Sequence, residues 1–245
     1  MSGNYLQVLR LGSVPYEEGW QMQTEMAAEI AAGKRPPTLL LLQHPHTYTF
    51  GRSGHAENLL WDEAELARRG VSVHWVDRGG DVTYHGPGQL VGYPLLPLAP
   101  GGLQSDPEQD SIRIPRADYV GYIRKLEIVL MRALLHFGIE SQQVEGLTGV
   151  WVRLGTGELA KIAAIGVKVD ARGISRHGFA LNVDPDMSYW DGIIGCGLKG
   201  YPVASLSDFL KPPPLMDQVC DAVVSTFTEV FEYQILEEQK RSSMR

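Results

Sequence analysis

Three strand-length apolar runs, at residues 150–154, 159–169 and 178–183, follow one another with only turn-length breaks. The breaks are Gly155-Thr156-Gly157 and Asp170-Ala171-Arg172-Gly173, both rich in residues that reverse a chain. Such a meander is incompatible with a regular strand–helix alternation, and so with a doubly wound parallel sheet. A mixed β-sheet with flanking helices, class α+β, is the architecture it predicts.

The rest of the chain fits that architecture. Strands are expected over residues 6–11, 38–43, 71–76 and 90–93. A first helix is expected with Ser13 as its N-cap, Pro15 early in the helix and Gly33 as its stop. A second covers residues 62–69 and stops at Gly70. In the third, Tyr119, Ile123, Leu126, Leu130, Leu134 and Phe137 recur at helical spacing before Gly138. In the fourth, Met216, Val219, Val223, Phe227 and Phe231 share a face. Residues 95–115, rich in Pro, Gly and Asp, read as a long surface loop. The pieces on either side are too short of strands to close separate cores, so one domain over residues 1–245 is expected.

Length and charge narrow the function. A chain of 245 residues can bury a large single core. A formal charge of −7 argues against a nucleic-acid binder, which presents a basic surface. No apolar run approaches the roughly 20 residues of a membrane helix. The first residues lack the basic-then-apolar pattern of a secretory signal. With only two cysteines a disulfide framework is not expected, and a cytoplasmic location fits.

Three segments could carry chemistry. Residues 78–89 run Arg78-Gly79-Gly80-Asp81-Val82-Thr83-Tyr84-His85-Gly86-Pro87-Gly88-Gln89 between two expected strands. Their glycines let a backbone approach a ligand, although a long β-connection has the same composition. The Gly-Lys-Ser/Thr ending of a phosphate-binding loop is absent. Cys196 lies between Gly195 and Gly197, which suits an accessible nucleophile with backbone donors nearby. A free thiol is mostly protonated at neutral pH and needs an activating neighbour. Lys161 opens the apolar run Lys161-Ile162-Ala163-Ala164-Ile165-Gly166, and a poorly solvated amine there could take a thiol proton or hold a thiolate. Taken singly, a cysteine such as Cys196 is more often a small buried residue, and a lysine such as Lys161 more often a solvated strand-edge cation. Cys220, between Val219 and Val223, needs only a packing role. His44-Pro45-His46 has no third ligand at metal-site spacing, so no metal is expected. For His177, spacing does not decide between a site residue and a strand-entry polar group.

Taken together, the segments resemble a known family. Arg78-Gly79-Gly80, Thr83, His85-Gly86-Pro87-Gly88-Gln89 and Tyr93-Pro94 are similar to the signature of the octanoyltransferases of lipoate synthesis. These are the lipoyl(octanoyl) transferases, also called lipoate–protein ligase B. Residues 161–166, His177-Gly178-Phe179-Ala180-Leu181-Asn182 and Cys196-Gly197-Leu198 match later family motifs in the same order, and the resemblance covers residues 5 to 210. Gly195 stands where the family usually has proline, and the stretch from Leu98 to Ser111 is longer than usual.

The resemblance implies the fold shared by biotin and lipoate protein ligases. It implies transfer of an octanoyl group from octanoyl-acyl carrier protein to a lysine of lipoyl domains, those of 2-oxoacid dehydrogenase E2 subunits and the glycine cleavage H protein. Cys196 matches the acyl-thioester nucleophile and Lys161 the residue that lowers its pKa. Arg78, Gly79, Gly80, Asp81, Val82, Thr83, Tyr84 and His85 match one substrate-binding segment; Ala164, Ile165 and Gly166 match a second, and Gly178, Phe179 and Ala180 a third. No cofactor, nucleic acid or membrane is implied, and a monomer is expected. The alternatives are an ATP-dependent lipoate or biotin ligase on the same fold, a cysteine hydrolase using His85 or His177 as base, and a carrier-binding module without activity.

Overall fold

In the computed structural model, residues 4–98, 104–106, 111–113, 118–195 and 200–240 are described. The chain begins with β1 (Tyr5–Ser13), α1 (Tyr16–Ala31), β2 (Thr38–Gln43) and β3 (Thr47–Phe50). It continues through α2 (Glu63–Arg69), β4 (Ser72–Trp75), β5 (Val82–His85) and β6 (Gln89–Leu95). Then come β7 (Gln104–Asp106), β8 (Ser111–Arg113), α3 (Tyr119–His136) and β9 (Gln142–Val144). The last elements are β10 (Leu147–Arg153), β11 (Leu159–Val169), β12 (Ser175–Asn182), α4 (Met216–Phe231) and β13 (Gln234–Lys240).

The main sheet has eight strands in the order β13-β1-β2-β6-β12-β11-β10-β9. β1 runs parallel to both β13 and β2, and every other pairing is antiparallel. The sheet is therefore mixed, and the meander expected over residues 150–183 forms its β10–β11–β12 side. A second sheet, β4-β3-β5, packs beside it, with β3 parallel to β4 and antiparallel to β5.

The leucines of β2 show how the layers form. Leu39 and Leu41 enter the core shared with α3 and α4, while Leu40 and Leu42 enter the core shared with α1. A strand buried on both faces reads as a continuous apolar run, as this one does. Leu126, Leu130 and Leu134 of α3 meet Val219, Val223 and Phe227 of α4 in the first core. Cys220 is buried there too. A third, mostly aromatic core under the small sheet holds Tyr48, Phe50, Val82 and Tyr84.

Four features of the elements differ from the sequence expectation. Ser13 ends β1 rather than capping α1, whose first turn follows Pro15 with no side-chain cap. Part of the glycine-rich stretch is not loop: residues 82–85 are β5, because their β-branched and aromatic side chains complete the small sheet against β3. Within residues 95–115, β7 and β8 pair as a short antiparallel ladder. β3, β9 and β13 were not expected either. Every residue of β13 is exposed, so no apolar alternation marks it, and its backbone pairing with β1 alone defines it.

Candidate active site

A cavity of about 240 Å³ lies where β5, β11 and β12 converge with the turn after Asp77. Arg78, Gly79, Gly80 and Asp81 form one wall, Ala164, Ile165 and Gly166 of β11 a second, and Gly178, Phe179 and Ala180 of β12 a third. Thus the three segments that the resemblance marks as substrate-binding meet around one space. Thr83 and His85 also face it, whereas Val82 and Tyr84 turn into the aromatic core behind β5. This is the period-2 alternation of a strand. The wall needs small residues: a Cβ on Gly166 would sit 3.0 Å from the Gly79 carbonyl, and the Gly79 N–H donates to the Val167 carbonyl at 3.0 Å.

The polar end of the cavity is built on Arg78 and His85. The Arg78 guanidinium donates to Thr49 Oγ1 at 2.9 Å and to the Gly79 carbonyl at 3.0 Å. Gln89 Nε2 donates to the Tyr84 carbonyl, so Gln89 Oε1 must accept, and it does so from His85 Nδ1 at 2.9 Å. His85 is therefore the neutral tautomer protonated on Nδ1, with Nε2 facing the Thr49 hydroxyl. Burial holds its pKa well below the ordinary value, and nearby His44 and Arg78 push the same way. Tyr16, from α1, stacks over His85 with ring centroids 5.9 Å apart.

Burial also lowers the pKa of three more histidines. His44 donates from Nδ1 to the Val14 carbonyl and accepts from the Tyr93 hydroxyl at 2.7 Å. Burial lowers its pKa to about 4. His46, its neighbour but one, points instead to the Tyr84 hydroxyl and stacks on Tyr189. Among the described residues no group of His, Cys, Asp or Glu is placed to hold a metal ion. His177 lines the cavity, and burial lowers its pKa although its Nε2 meets Asp77 at 2.7 Å. Asp77 also binds Lys168 and Arg176. Burial alone would raise its carboxyl, but the His177 and Lys168 hydrogen bonds and the Arg176 charge hold it well below the carboxylate range.

Lys161 also lines the cavity and is 8% exposed. Its Nζ lies 4.8 Å from the centroid of the Trp151 ring, and no carboxylate among the described residues forms an ion pair with it. Its strand is extended by residues 202–204: the Lys161 N–H donates to the Pro202 carbonyl and the Ala204 N–H to the Lys161 carbonyl, both at 2.9 Å. Glu127, fully buried on α3, accepts from the Gly149 N–H and secures the turn whose Gly146, Leu147 and Thr148 close the cavity. Cys196 lies outside the described residues. Before it in the chain, the Ile194 N–H donates to the Asn58 carbonyl at 2.9 Å, and Asn58 donates in turn to Asp81. Tyr16, Thr49, Asp77 and Trp151 carried no signal in the sequence, since each reaches the site only through tertiary packing.

Mixed-sheet topology and a mainly apolar cavity with one buried lysine define a protein of the lipoate protein ligase architecture. The model of the lipoyl protein ligase A/B catalytic domain matches residues 15–228. The octanoyltransferase of Chloroflexus aggregans is 43% identical over 227 residues, covering 93% of this chain and 95% of that one. That of Acidobacterium capsulatum is 42% identical over 234 residues, covering 94% and 92%. Among solved structures, the bipartite lipoate protein ligase of Thermoplasma acidophilum superposes with a TM-score of 0.67 at 17% identity, covering 98% of this chain and 88% of that one. A lipoate-protein ligase A bound with ATP gives 0.64 at 16% identity, with coverages of 99% and 90%. These two likenesses are of fold. The chain belongs to the octanoyltransferase family and is an acyltransferase of protein lipoylation. No helix among the described residues is long and apolar enough to cross a membrane.

Proposed function

We propose that the protein takes an octanoyl group from octanoyl-acyl carrier protein onto the sulfur of Cys196 and passes it to a lysine of a lipoyl domain. The observation that carries this reading is the meeting of three separate sequence segments, with Lys161, around one cavity. In the first step Lys161 Nζ takes the thiol proton and the Cys196 sulfur attacks the donor carbonyl. Backbone N–H groups hold the oxyanion. The carrier thiolate then leaves with the proton held on Lys161, which returns the Lys161 amine to its neutral form. One thioester replaces another at little net cost. In the second step the amine of the acceptor lysine attacks, Lys161 accepts its proton, and the Cys196 thiolate departs as the amide forms. Thioester to amide is downhill, so neither ATP nor a cofactor is needed.

Apolar lining from Ile165, Phe179, Ala180 and Val91 suits the alkyl chain. Each methylene it buries is worth about 0.8 kcal/mol, which favours a medium-length chain and excludes water from the thioester. The acceptors are the lipoyl domains of 2-oxoacid dehydrogenase E2 subunits and the glycine cleavage H protein. A reducing cytoplasm keeps the Cys196 thiol free for them.

Intact-protein mass spectrometry with octanoyl-acyl carrier protein, without ATP, tests this directly. One octanoyl group mapped to Cys196 and discharged by an apo lipoyl domain is the expected result. No adduct, together with ATP-dependent modification of the lipoyl domain, would make the protein a ligase. An adduct released as free octanoate without acceptor would make it a cysteine hydrolase.

A further inference from the structure

An unbroken run of hydrogen bonds joins the Arg78 side of the cavity to the strand of Lys161. It starts where the Arg78 guanidinium donates to Thr49 Oγ1, whose hydroxyl faces His85 Nε2. His85 Nδ1 donates to Gln89 Oε1, and Gln89 Nε2 donates to Asn182 Oδ1 at 2.9 Å. Asn182 Nδ2 donates to the Ala204 carbonyl at 3.0 Å, and the Ala204 N–H donates to the Lys161 carbonyl at 2.9 Å. Gln89 and Asn182, 1% and 2% exposed, are cross-strand partners on β6 and β12, so the amide pair sits in the sheet.

Asn182 joins this run through both polar atoms of its amide. Its oxygen must accept from Gln89 while its nitrogen donates to Ala204, and only a primary amide supplies both at that length. Residues 202–204 have no strand of their own to hold them in register. They carry a single isolated bridge, between Lys161 and Val203. Asn182 holds their far edge.

We propose that Asn182 is a positioning residue for acyl transfer: its amide registers residues 202–204 against Lys161, and so sets where the Lys161 amine stands in the cavity. This rests on the transfer reading above, in which Lys161 moves the proton. A misplacement of about 1 Å at a proton-transfer partner can cost on the order of 100-fold in rate. Asn182 is not part of the main cavity lining, so its loss lowers the rate at saturating donor and leaves the donor KM in place.

The test uses Asn182→Asp, which keeps the volume and the acceptor for Gln89 but removes the donor to Ala204. Asn182→Ala, which removes both bonds without adding a charge, covers the case in which a buried carboxylate prevents folding. Octanoyl appearance on Cys196 is followed in single turnovers, with thermal unfolding as the check of folding. The expected result is a loss approaching 100-fold in the folded variants at unchanged KM, and no further loss when Asn182→Ala is added to Lys161→Ala. Three results would overturn the proposal: a folded variant that acylates at the wild-type rate, a loss confined to KM, or an equal loss in the Lys161→Ala background. A wild-type protein that never acquires octanoyl on Cys196 would instead remove the transfer reading itself.

Discussion

Lys161 Nζ stands 4.8 Å from the centroid of the Trp151 ring, and the two residues are paired on adjacent strands. An ammonium so placed gains about 0.5–2 kcal/mol from the ring, so Trp151 favours the protonated Lys161 that forms as the thiol proton is taken, and no carboxylate among the described residues does this instead. Trp151→Leu should therefore slow acylation by roughly 2- to 30-fold. Trp151→Phe, which keeps a ring, should lose less. Single-turnover rates in folded protein decide this, and equal rates in the two variants would leave the ring without a role beyond packing.

Lys161→Ala should reduce acylation sharply, and Lys161→Arg should not restore it. Guanidinium keeps a positive charge but does not give up its proton at working pH, so it can attract a thiolate without serving as a base. Rescue by arginine would show that charge alone suffices. Cys196→Ser should abolish transfer, as read by the disappearance of the octanoyl adduct. Full activity in Lys161→Ala would dissolve the proposed pair.

Two glycines of the cavity wall should differ in kind. A Cβ on Gly178 would lie 2.1 Å from the Gly92 carbonyl, a backbone atom held in the sheet. Gly178→Ala should therefore destabilise by about 3 kcal/mol or prevent folding. At Gly166 the corresponding contact, to the Gly79 carbonyl, is 3.0 Å. Gly166→Ala should fold and raise the donor KM by displacing the Arg78–Gly79 turn. Thermal melts and donor titrations separate the two outcomes.

Stability should fall as the pH drops below about 6.5, the ordinary value for histidine. His44 is held neutral in the fold, with its pKa lowered to about 4, so the unfolded chain takes up a proton first. Its contribution is fully present above pH 6.5 and is lost progressively down to pH 4, by about 3 kcal/mol. His85 and His177, also lowered, steepen the same loss. Denaturant unfolding across this range measures the slope, and His44→Asn should flatten it. A wild-type profile flat from pH 7 to pH 4 would contradict the buried neutral assignment.

The sequence determined most of what repetition and local chemistry can encode. Leu39 to Leu42 announce a strand buried on both faces, because unbroken apolarity at strand length has few other uses. The spacing of Leu126, Leu130 and Leu134 marks the buried face of α3, and Gly70 at a φ of 65° ends α2 where it was expected. The three cavity segments were legible through the resemblance of their motifs to a known family. Tertiary structure decided what lies between distant segments. Val82 and Tyr84 share a motif with Thr83 and His85 but face a different core, because pairing with β3 makes that motif a strand. β13, exposed along its whole length, exists through its parallel backbone pairing with β1, a contact that leaves no side-chain pattern. Trp151 beneath Lys161, and Asn182 against Ala204, depend on register and on a carbonyl brought in by a distant chain segment. Local propensity acts between neighbours in the chain, whereas hydrogen bonds and ring contacts act between neighbours in space, and only folding makes those two sets coincide.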